Sequence, residues 1–358
     1  MVSQMKCLRG VLCTLWAYGC LVCLVFADEP WHRADTGTGA SLRGVASVDE
    51  RTVWACGSKG TLVRTIDEGR SWSVAKITGL EDVEIRSIHA WSAEQAIVAT
   101  AGQPAVMYKT KDGGLSWKKV YENLAKEAFV DGLRFSNDQV GYAFSDPVDG
   151  KLLILKSVDA GETWAAVAAH QIPEINPGEA GFAASNSSLA VHRHMVWIGL
   201  GGHNQGASRV FRSQDGGEHW RAVTVQPISS SASAGIFSIA FASSEHGVAV
   251  GGDYRQESIG VRNVAVSDDG GLNWREPRVS RPSGYRSCVV CVATNSVSSG
   301  HLWIACGPSG CDWSSDRERW LKVPGEGFHA MHLSKDGTVW ASGSAGRVAR
   351  LQLKQIAK

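Results

Sequence analysis

The stretch Ser213-Gln214-Asp215-Gly216-Gly217-Glu218-His219-Trp220 decides the fold, because its pattern recurs along the chain. The pattern is Ser or Thr, any residue, Asp, any residue, Gly, two further residues and Trp. Five full copies and a shortened sixth, which lacks the Gly, are centred on Asp67, Asp112, Asp159, Asp215, Asp269 and Asp316. Successive aspartates lie 45 to 56 residues apart. A repeat of this length predicts a propeller or a solenoid.

The chemistry of the repeat is that of a hairpin turn. Asp and Ser or Thr side chains bond the backbone of a tight turn, and Gly takes the position with positive φ. Trp then begins the returning strand and packs against a neighbour. The motif is the Asp-box, or BNR, repeat, and its Asp is predicted to have a structural role, with no part in catalysis or metal binding.

Each repeat contains about four short strands with alternating apolar residues and turn residues between them. The predicted first strands of seven repeats lie at 42–46, 85–88, 132–135, 180–183, 236–241, 285–290 and 328–333. The predicted fold is all-β, a seven-bladed β-propeller of four-stranded antiparallel blades, with six or eight blades as alternatives.

The two ends of the chain complement each other. The seventh repeat stops after its third strand, whereas Trp31-His32-Arg33-Ala34-Asp35-Thr36-Gly37 resembles a fourth strand without a repeat of its own. We therefore predict that this N-terminal strand closes the ring and removes exposed strand edges. Residues 28–358 form a single domain on this interpretation.

Residues 1–27 have the features of a secretory signal peptide. Lys6 and Arg9 precede an apolar run from Val11 to Phe26, and Val25-Phe26-Ala27 offers a cleavage site. We expect an exported protein, periplasmic or extracellular, or lumenal in a photosynthetic host. The alternative is an uncleaved segment retained as a membrane anchor.

The 358-residue chain has a net charge of +1, which gives no global field for nucleic acid. Five cysteines follow residue 27, so at least one is unpaired in a monomer. Cys56 and Cys306 hold equivalent repeat positions, which favours simple strand packing. Four cysteines, at positions 288, 291, 306 and 311, share one repeat, where a local disulfide is expected after export. Metal binding is not expected, because Cys288 and Cys291 point to opposite faces of a strand.

We expect function on the propeller face that carries the loops between second and third strands. These loops are longer at 145–150, 201–208 and 251–258, which indicates a recognition surface. Arginines recur where inner strands begin on the same face. The candidate binding residues are Arg43, Arg86, Asp131, Arg134, Asp146, Asp149, His203, Asn204, Asp253, Tyr254, Arg255, Tyr285, Arg286 and His329. Converging guanidinium groups would bind an anion or a carboxylate. Alternatively, each Arg pairs with a carboxylate of a neighbouring blade, such as Asp131, Asp146 or Glu179.

Several segments resemble those of a known family: Asp146-Pro147-Val148-Asp149-Gly150, Ser233-Ala234-Gly235-Ile236-Phe237-Ser238-Ile239-Ala240-Phe241, Gly251-Gly252-Asp253-Tyr254 and Gly307-Pro308-Ser309-Gly310. With the seven repeats and the leader, they are similar to the photosystem II stability/assembly factors, the Ycf48 and HCF136-like propellers, and to exported bacterial BNR-repeat proteins. The resemblance implies a non-catalytic scaffold that binds a protein through an arginine-rich surface, here Arg43, Arg86 and Arg286.

An enzymatic alternative is a sialidase-like or other glycoside hydrolase, because Asp-box repeats also occur there. The Arg-Ile-Pro signature of sialidases is missing, and no Tyr–Glu pair is well placed. A two-carboxylate site could use Asp131 with Asp146 or Asp253. We expect no catalytic residues, no cofactor and no metal. The predicted partner is a protein or an anionic or carbohydrate ligand. We also expect a monomer that meets a membrane only through a partner or an uncleaved leader.

Overall fold

The computed structural model describes residues 29–204 and 206–356, so the predicted signal peptide at 1–27 lies outside the described residues. Blades one to three contain β2 Leu42–Ser47, β3 Val53–Gly57, β4 Thr61–Thr65, β5 Ser73–Lys76, β6 Ile85–Ala90, β7 Ala96–Thr100, β8 Ala105–Thr110, β9 Lys118–Asn123, β10 Val130–Phe135, β11 Gly141–Val148, β12 Lys151–Ser157 and β13 Ala165–Ala166. Blades four and five contain β14 Leu189–His192, β15 Met195–Gly199, β16 Ser208–Ser213, β17 Arg221–Val225, β18 Ala234–Phe241, β19 Gly247–Asp253 and β20 Val264–Ser267. Blades six and seven contain β21 Cys288–Ala293, β22 His301–Gly307, β23 Gly310–Ser314, β24 Leu321–Val323, β25 Ala330–Leu333, β26 Val339–Ser342, β27 Val348–Leu351 and β1 Trp31–Ala34. Short 3₁₀ helices cover Ser58–Gly60, Ala169–Gln171 and Leu353–Gln355. None of the helices in this described part could span a membrane.

Seven antiparallel sheets form the ring, which confirms the predicted seven-bladed propeller. Within blades one to six the strands pair in chain order, from the inner strand outward. In blade five the fourth strand is reduced to an isolated bridge between Val266 and Arg275. The buried residues form clusters that join neighbouring blades, as expected when each blade covers the apolar face of the next.

The N-terminal strand closes the ring, as the sequence predicts. β1 lies at the outer edge of blade seven and pairs with β27, with Trp31 opposite Leu351. The Trp31 side chain is 4% exposed and packs 4.6 Å from the Phe328 ring, measured between centroids. The closing strand is therefore held by core packing as well as by its hydrogen-bond ladder.

The repeat motif forms a turn stabilised by its Asp. In blade two, Asp112 Oδ1 accepts hydrogen bonds from the Ser116 N–H at 2.9 Å and from Thr110 Oγ1 at 2.8 Å. The Trp117 ring then meets Trp54 of blade one edge-on, with centroids 6.4 Å apart. The same pair of bonds recurs at Asp67, Asp159, Asp215 and Asp269, and a shorter version occurs at Asp316.

Blade four differs from the expectation. Its inner strand is β14, residues 189–192, whereas the predicted strand at 180–183 makes only an isolated bridge through Ala180. Residues 180–188, which we call the crossing segment, instead pass through the central channel. Asn186 donates to the Ile88 carbonyl at 2.9 Å and accepts from the Leu133 N–H at 2.8 Å. Ser185 Oγ donates to the Ser287 carbonyl at 2.6 Å. Small polar side chains suit this path, since they satisfy buried backbone groups on three other blades.

The structure contains the local disulfide that the sequence predicts, and it involves Cys306, for which simple strand packing was expected. Cys306 and Cys311 are disulfide-bonded across the β22–β23 hairpin, so Cys306 does more than pack in a strand. Cys56, Cys288 and Cys291 are free thiols, and burial raises the pKa of each. The disulfide closes the turn 307–310, which reaches the channel.

A candidate binding site at the channel mouth

The inner strands all begin at one end of the channel, and a cavity of about 440 Å³ opens there. We call this cavity the mouth pocket. Seven of the fourteen candidate residues line it: Arg43, Arg86, Asp131, Asp146, Tyr254, Tyr285 and His329. The crossing segment contributes residues 181–184 to the pocket wall and so limits its depth.

One register position supplies much of this lining. In four inner strands the ladder with the second strand is interrupted by one extra residue, a β-bulge. Bulges redirect side chains and are common beside functional sites. The four bulge residues are Arg43, Arg86, Asp131 and Phe237. Ser287 before β21 and His329 before β25 hold the same register, because their N–H groups bond to the Cys306 and Ser342 carbonyls of the second strands. We call these six residues the pocket ring, and all six line the mouth pocket.

The two arginines of the pocket ring differ in their partners. Arg86 forms an ion pair with Glu84 and donates to the Ala183 carbonyl at 3.1 Å. The Nε of Arg43 is buried, and no hydrogen-bond partner for it occurs among the described residues. Burial lowers the pKa of Arg43, and the nearby Arg86 lowers it further. Since a guanidinium remains charged in proteins, the Arg43 Nε–H is a charged donor without an acceptor in the described part of the chain, although Glu84 and Glu257 raise the Arg43 pKa in part.

Asp131 and Asp146 form a carboxyl pair in the same pocket. Asp146 Oδ1 accepts the Gly181 N–H at 3.0 Å, and Asp131 Oδ2 lies so close to Gly181 that a Cβ there would be 2.6 Å away. Burial raises the pKa of Asp146 to about 6. Burial and the neighbouring Asp146 charge raise the pKa of Asp131 well above its usual range. The pair therefore shares a proton near neutral pH.

This contact geometry bears on the hydrolase alternative. Two-carboxylate glycosidases hold their carboxyl groups about 5–10 Å apart on either side of the scissile bond. Asp131 and Asp146 instead lie side by side against Gly181, and each shifts the pKa of the other. Two carboxyl groups that are immediate neighbours match the glycosidase arrangement poorly.

An aromatic wall faces the charged part of the pocket. Phe182 of the crossing segment stacks on Phe237, with ring centroids 4.1 Å apart. Tyr285 meets Phe237 edge-on at 4.7 Å, and Tyr254 lies 6.2 Å from the same ring. Tyr254 is 40% exposed, so the wall continues onto the outer surface. Phe182 and Phe237 are absent from the sequence-derived candidates.

Arg286 and Arg134 lie away from the mouth pocket. Arg286 is one register position earlier than the pocket ring and points into blade six, where it is 1% exposed. Its Nε and Nη2 contact Asp312 Oδ2 at 2.7 and 2.5 Å. This pair differs from the carboxylate-pairing alternative, because Asp312 lies on β23 of the same blade and not on a neighbouring blade. Arg134 is three positions beyond Asp131 and lines a separate cavity at the other end of the channel.

The remaining candidates lie on loops of the mouth face. Asp149, with φ at 51°, and Gly150 form the β11–β12 turn, because most of the expected 145–150 loop is strand. His203 is buried, 4.0 Å from Glu179 Oε1. Asn204 is exposed. Asp253 accepts the Arg255 N–H at 2.9 Å, and the Arg255 guanidinium lies 5.9 Å from the Tyr254 ring centre.

The histidine of the pocket ring, His329, is uncharged at neutral pH. Burial lowers the pKa of His329 to about 4, and Arg43 and Arg86 add to the effect. His329 is thus neutral at pH 7, with Nε2 2.8 Å from Ser344 Oγ. In the described part of the chain, His, Cys, Asp and Glu side chains form no group of three that could hold a metal ion.

Comparison with known proteins agrees with this architecture. The family model for the photosystem II assembly factor Ycf48 matches residues 24–176, a little under half of the chain. No curated protein matches the sequence. A structure of Ycf48 bound to a D1 peptide has a TM-score of 0.60 and 16% identity, covering 90% of this chain and 97% of that one. Ycf48 from Cyanidioschyzon merolae has a TM-score of 0.59 and 15% identity, covering 91% of this chain and 100% of that one. The WD40 propeller domain of Doa1 has a TM-score of 0.57 at 11% identity, covering 92% and 100%.

The structural likenesses concern the fold, and the family model connects the N-terminal blades with one family in particular. Together with the repeats and the closed ring, they identify the chain as a seven-bladed BNR-repeat β-propeller that resembles the Ycf48 family of photosystem II assembly factors.

Proposed function

We propose that this propeller is a non-catalytic assembly scaffold whose mouth pocket binds an extended segment of a partner protein. The observation that carries the proposal is the pocket ring, in which bulges in four blades turn side chains of different chemistry into one cavity. A structure of Ycf48 with a D1 peptide provides a precedent for peptide binding on a similar fold.

The chemistry of the pocket favours a peptide over a simple anion. The Nε–H of Arg43 is a donor without an acceptor among the described residues, whereas the Asp131–Asp146 pair offers acceptors in the same pocket. Phe182 and Phe237 supply an apolar surface between blades. A peptide carries carbonyl or carboxylate acceptors, N–H donors and apolar side chains in alternation, so it can satisfy all three. The mixed charge would repel a small multivalent anion about as much as it attracts it.

The test is direct titration of fluorescein-labelled peptides by anisotropy, with the D1 peptide of the Ycf48 complex as the first probe. An isosteric version with Asp and Glu changed to Asn and Gln measures the part played by acidic groups. Arg43→Gln should weaken binding at least tenfold, since it removes the free guanidinium. The matched control is Arg221→Gln, an exposed arginine on an outer strand, which should bind as the wild type does.

Equal affinity of Arg43→Gln and the wild type would refute the assignment of the mouth pocket. If no binding to the D1 peptide occurs, an array of extended peptides with mixed acidic and aromatic residues is the next probe. Failure of that array as well would refute the peptide-binding proposal.

We also propose that the protein is exported, on the basis of the charged, apolar and small-residue regions within positions 1–27. Intact-mass measurement of protein expressed with its leader would test this. Cleavage after Ala27 leaves Asp28 as the first residue. A full-length mass in the membrane fraction would instead support the retained anchor.

A further inference from the structure

A second cavity lies at the other end of the channel. It has a volume of about 200 Å³ and is lined by the last residues of several inner strands, including Arg134 of β10 and His332 of β25. We call it the distal cavity. The crossing segment separates it from the mouth pocket, because Asn186 bridges blades two and three between the two cavities.

Arg134 is the cation of the distal cavity. No oxygen of the described residues accepts a hydrogen bond from its guanidinium, and no carboxylate pairs with it. Burial lowers the pKa of Arg134. A guanidinium stays charged in proteins, and the partly exposed Arg134 therefore brings a positive charge to the cavity whose donors have no partner among the described residues.

His332 adds a neutral donor of fixed tautomer. The Ser47 N–H donates to His332 Nδ1 at 3.1 Å, so the ring proton is on Nε2. Burial and the Arg134 charge lower the pKa of His332 to about 3, and burial, His332 and Arg134 lower that of His89 to about 3. Both rings are uncharged at pH 7. Within the described residues, no group accepts a hydrogen bond from the His332 Nε2–H.

The rest of the lining is mostly apolar. Ile239, Phe241, Val290 and Leu333 supply much of it, and the partly exposed thiol of Cys291 is protonated because burial raises its pKa to about 12. One positive charge among apolar walls matches one negative charge on an apolar body. A phosphate or a dicarboxylate would bring a second negative charge without a partner.

We propose that the distal cavity is a binding site for a small organic monocarboxylate with an apolar tail, held by Arg134 and by His332 Nε2. The inference is independent of peptide binding at the mouth pocket. It rests on the cavity, on a guanidinium without an acceptor and on a second donor of known tautomer.

The test uses 4-fluorobenzoate as the probe and ¹⁹F NMR line broadening as the readout, with the neutral 4-fluorobenzamide as a chemical control. The benzoate should broaden in the presence of the wild-type protein, and the benzamide should bind at least tenfold more weakly. Arg134→Met should abolish benzoate binding. Lys335→Gln removes an exposed cation outside the cavity lining and should leave binding unchanged, whereas Arg43→Gln shows whether the probe enters the mouth pocket instead.

Equal binding of benzoate and benzamide, or full retention of benzoate binding by Arg134→Met, would overturn the proposal. Loss of binding in Arg43→Gln would also overturn it, by locating the probe at the mouth. Should Arg134→Met fail to fold, Arg134→Lys replaces it. Lysine keeps the charge and loses the planar pair of donors, so we expect two- to tenfold weaker binding. Unchanged affinity in Arg134→Lys together with unchanged affinity in His332→Phe counts against the site.

Discussion

Arg286→Met should destabilise the propeller strongly, although the sequence predicts Arg286 beside Arg43 in a binding surface. The Arg286 and Asp312 side chains are 1% and 2% exposed. Arg286 also donates to the Tyr285 carbonyl at 2.7 Å and to Ser283 Oγ at 2.8 Å. Removal of one partner from a buried pair leaves an uncompensated charge, which typically costs about 3–5 kcal/mol.

The assay is guanidinium chloride unfolding followed by tryptophan fluorescence, with the free energy of unfolding compared among variants. Arg286→Met should lose about 3–5 kcal/mol, and the double variant Arg286→Met/Asp312→Leu should recover at least half of it, because no charge is left buried. Arg43→Met should stay within about 1 kcal/mol of the wild type or exceed it, since Arg43 has no partner to leave behind. A loss below about 1 kcal/mol in Arg286→Met, or no recovery in the double variant, would refute the account of this ion pair.

Three further predictions concern charge and disulfide bonding. Asp131→Asn should stabilise the protein at pH 7.5 by on the order of 2 kcal/mol in thermal or chemical unfolding. The folded-state pKa values of the Asp131–Asp146 pair are raised, so the wild type has its full stability below pH 4 and loses part of it as the pH rises through about 6. The stability gained by the variant should therefore vanish near pH 4. Hydrogen bonds from Thr163 lower the pKa of Asp159 to about 2, although burial opposes them. The stability that the ionised Asp159 contributes is present above pH 4 and is lost as the pH falls through about 2. Acid unfolding followed by circular dichroism should therefore occur at lower pH in the wild type than in Asp159→Asn, and coincident curves would contradict this prediction. Alkylation of the unfolded, unreduced protein followed by mass spectrometry should label Cys56, Cys288 and Cys291 and leave Cys306 and Cys311 linked, whereas labelling of all five would show that the disulfide is absent.

The fold follows from the sequence because its signals are local and repeated. Each turn needs the same Asp, Gly and Trp chemistry, so five independent copies agree on one architecture. Ring closure is also visible in the sequence, since Trp31 supplies the element that the seventh repeat lacks. Crossing of the channel by residues 180–188 is not visible, because Gly181, Phe182 and Ala183 fit a strand pattern equally well. Only the contacts of Asn186 with other blades distinguish the two paths.

The candidate site was predictable only in part. A shift of one residue sends a strand side chain to the other face, so the sequence must be read with the correct register. Leu42 and Phe328 correspond to Arg286 in register and are core residues, so the repeats themselves place Arg286 inside. The pocket ring has a sequence signal of its own: each member is followed by Gly, Ser, Cys or Ala. A small residue is needed there since a Cβ at Gly44 would lie 2.6 Å from the Arg86 carbonyl. This signal would have selected Phe237 and excluded Arg134, which precedes Phe135. Arg286 precedes Ser287 and is excluded only by its register.

The closing strand also sets the direction in which the molecule is presented. Strands alternate in direction from β25 outward to β1, so β1 runs toward the mouth face and Trp31 lies level with the end of β27 on the opposite face. The start of β1 therefore lies at the outer edge of blade seven, at the end of the strand away from the mouth face. A fusion partner linked at residue 29 would therefore be attached to the outer edge of blade seven, at the opposite end of β1 from the mouth face.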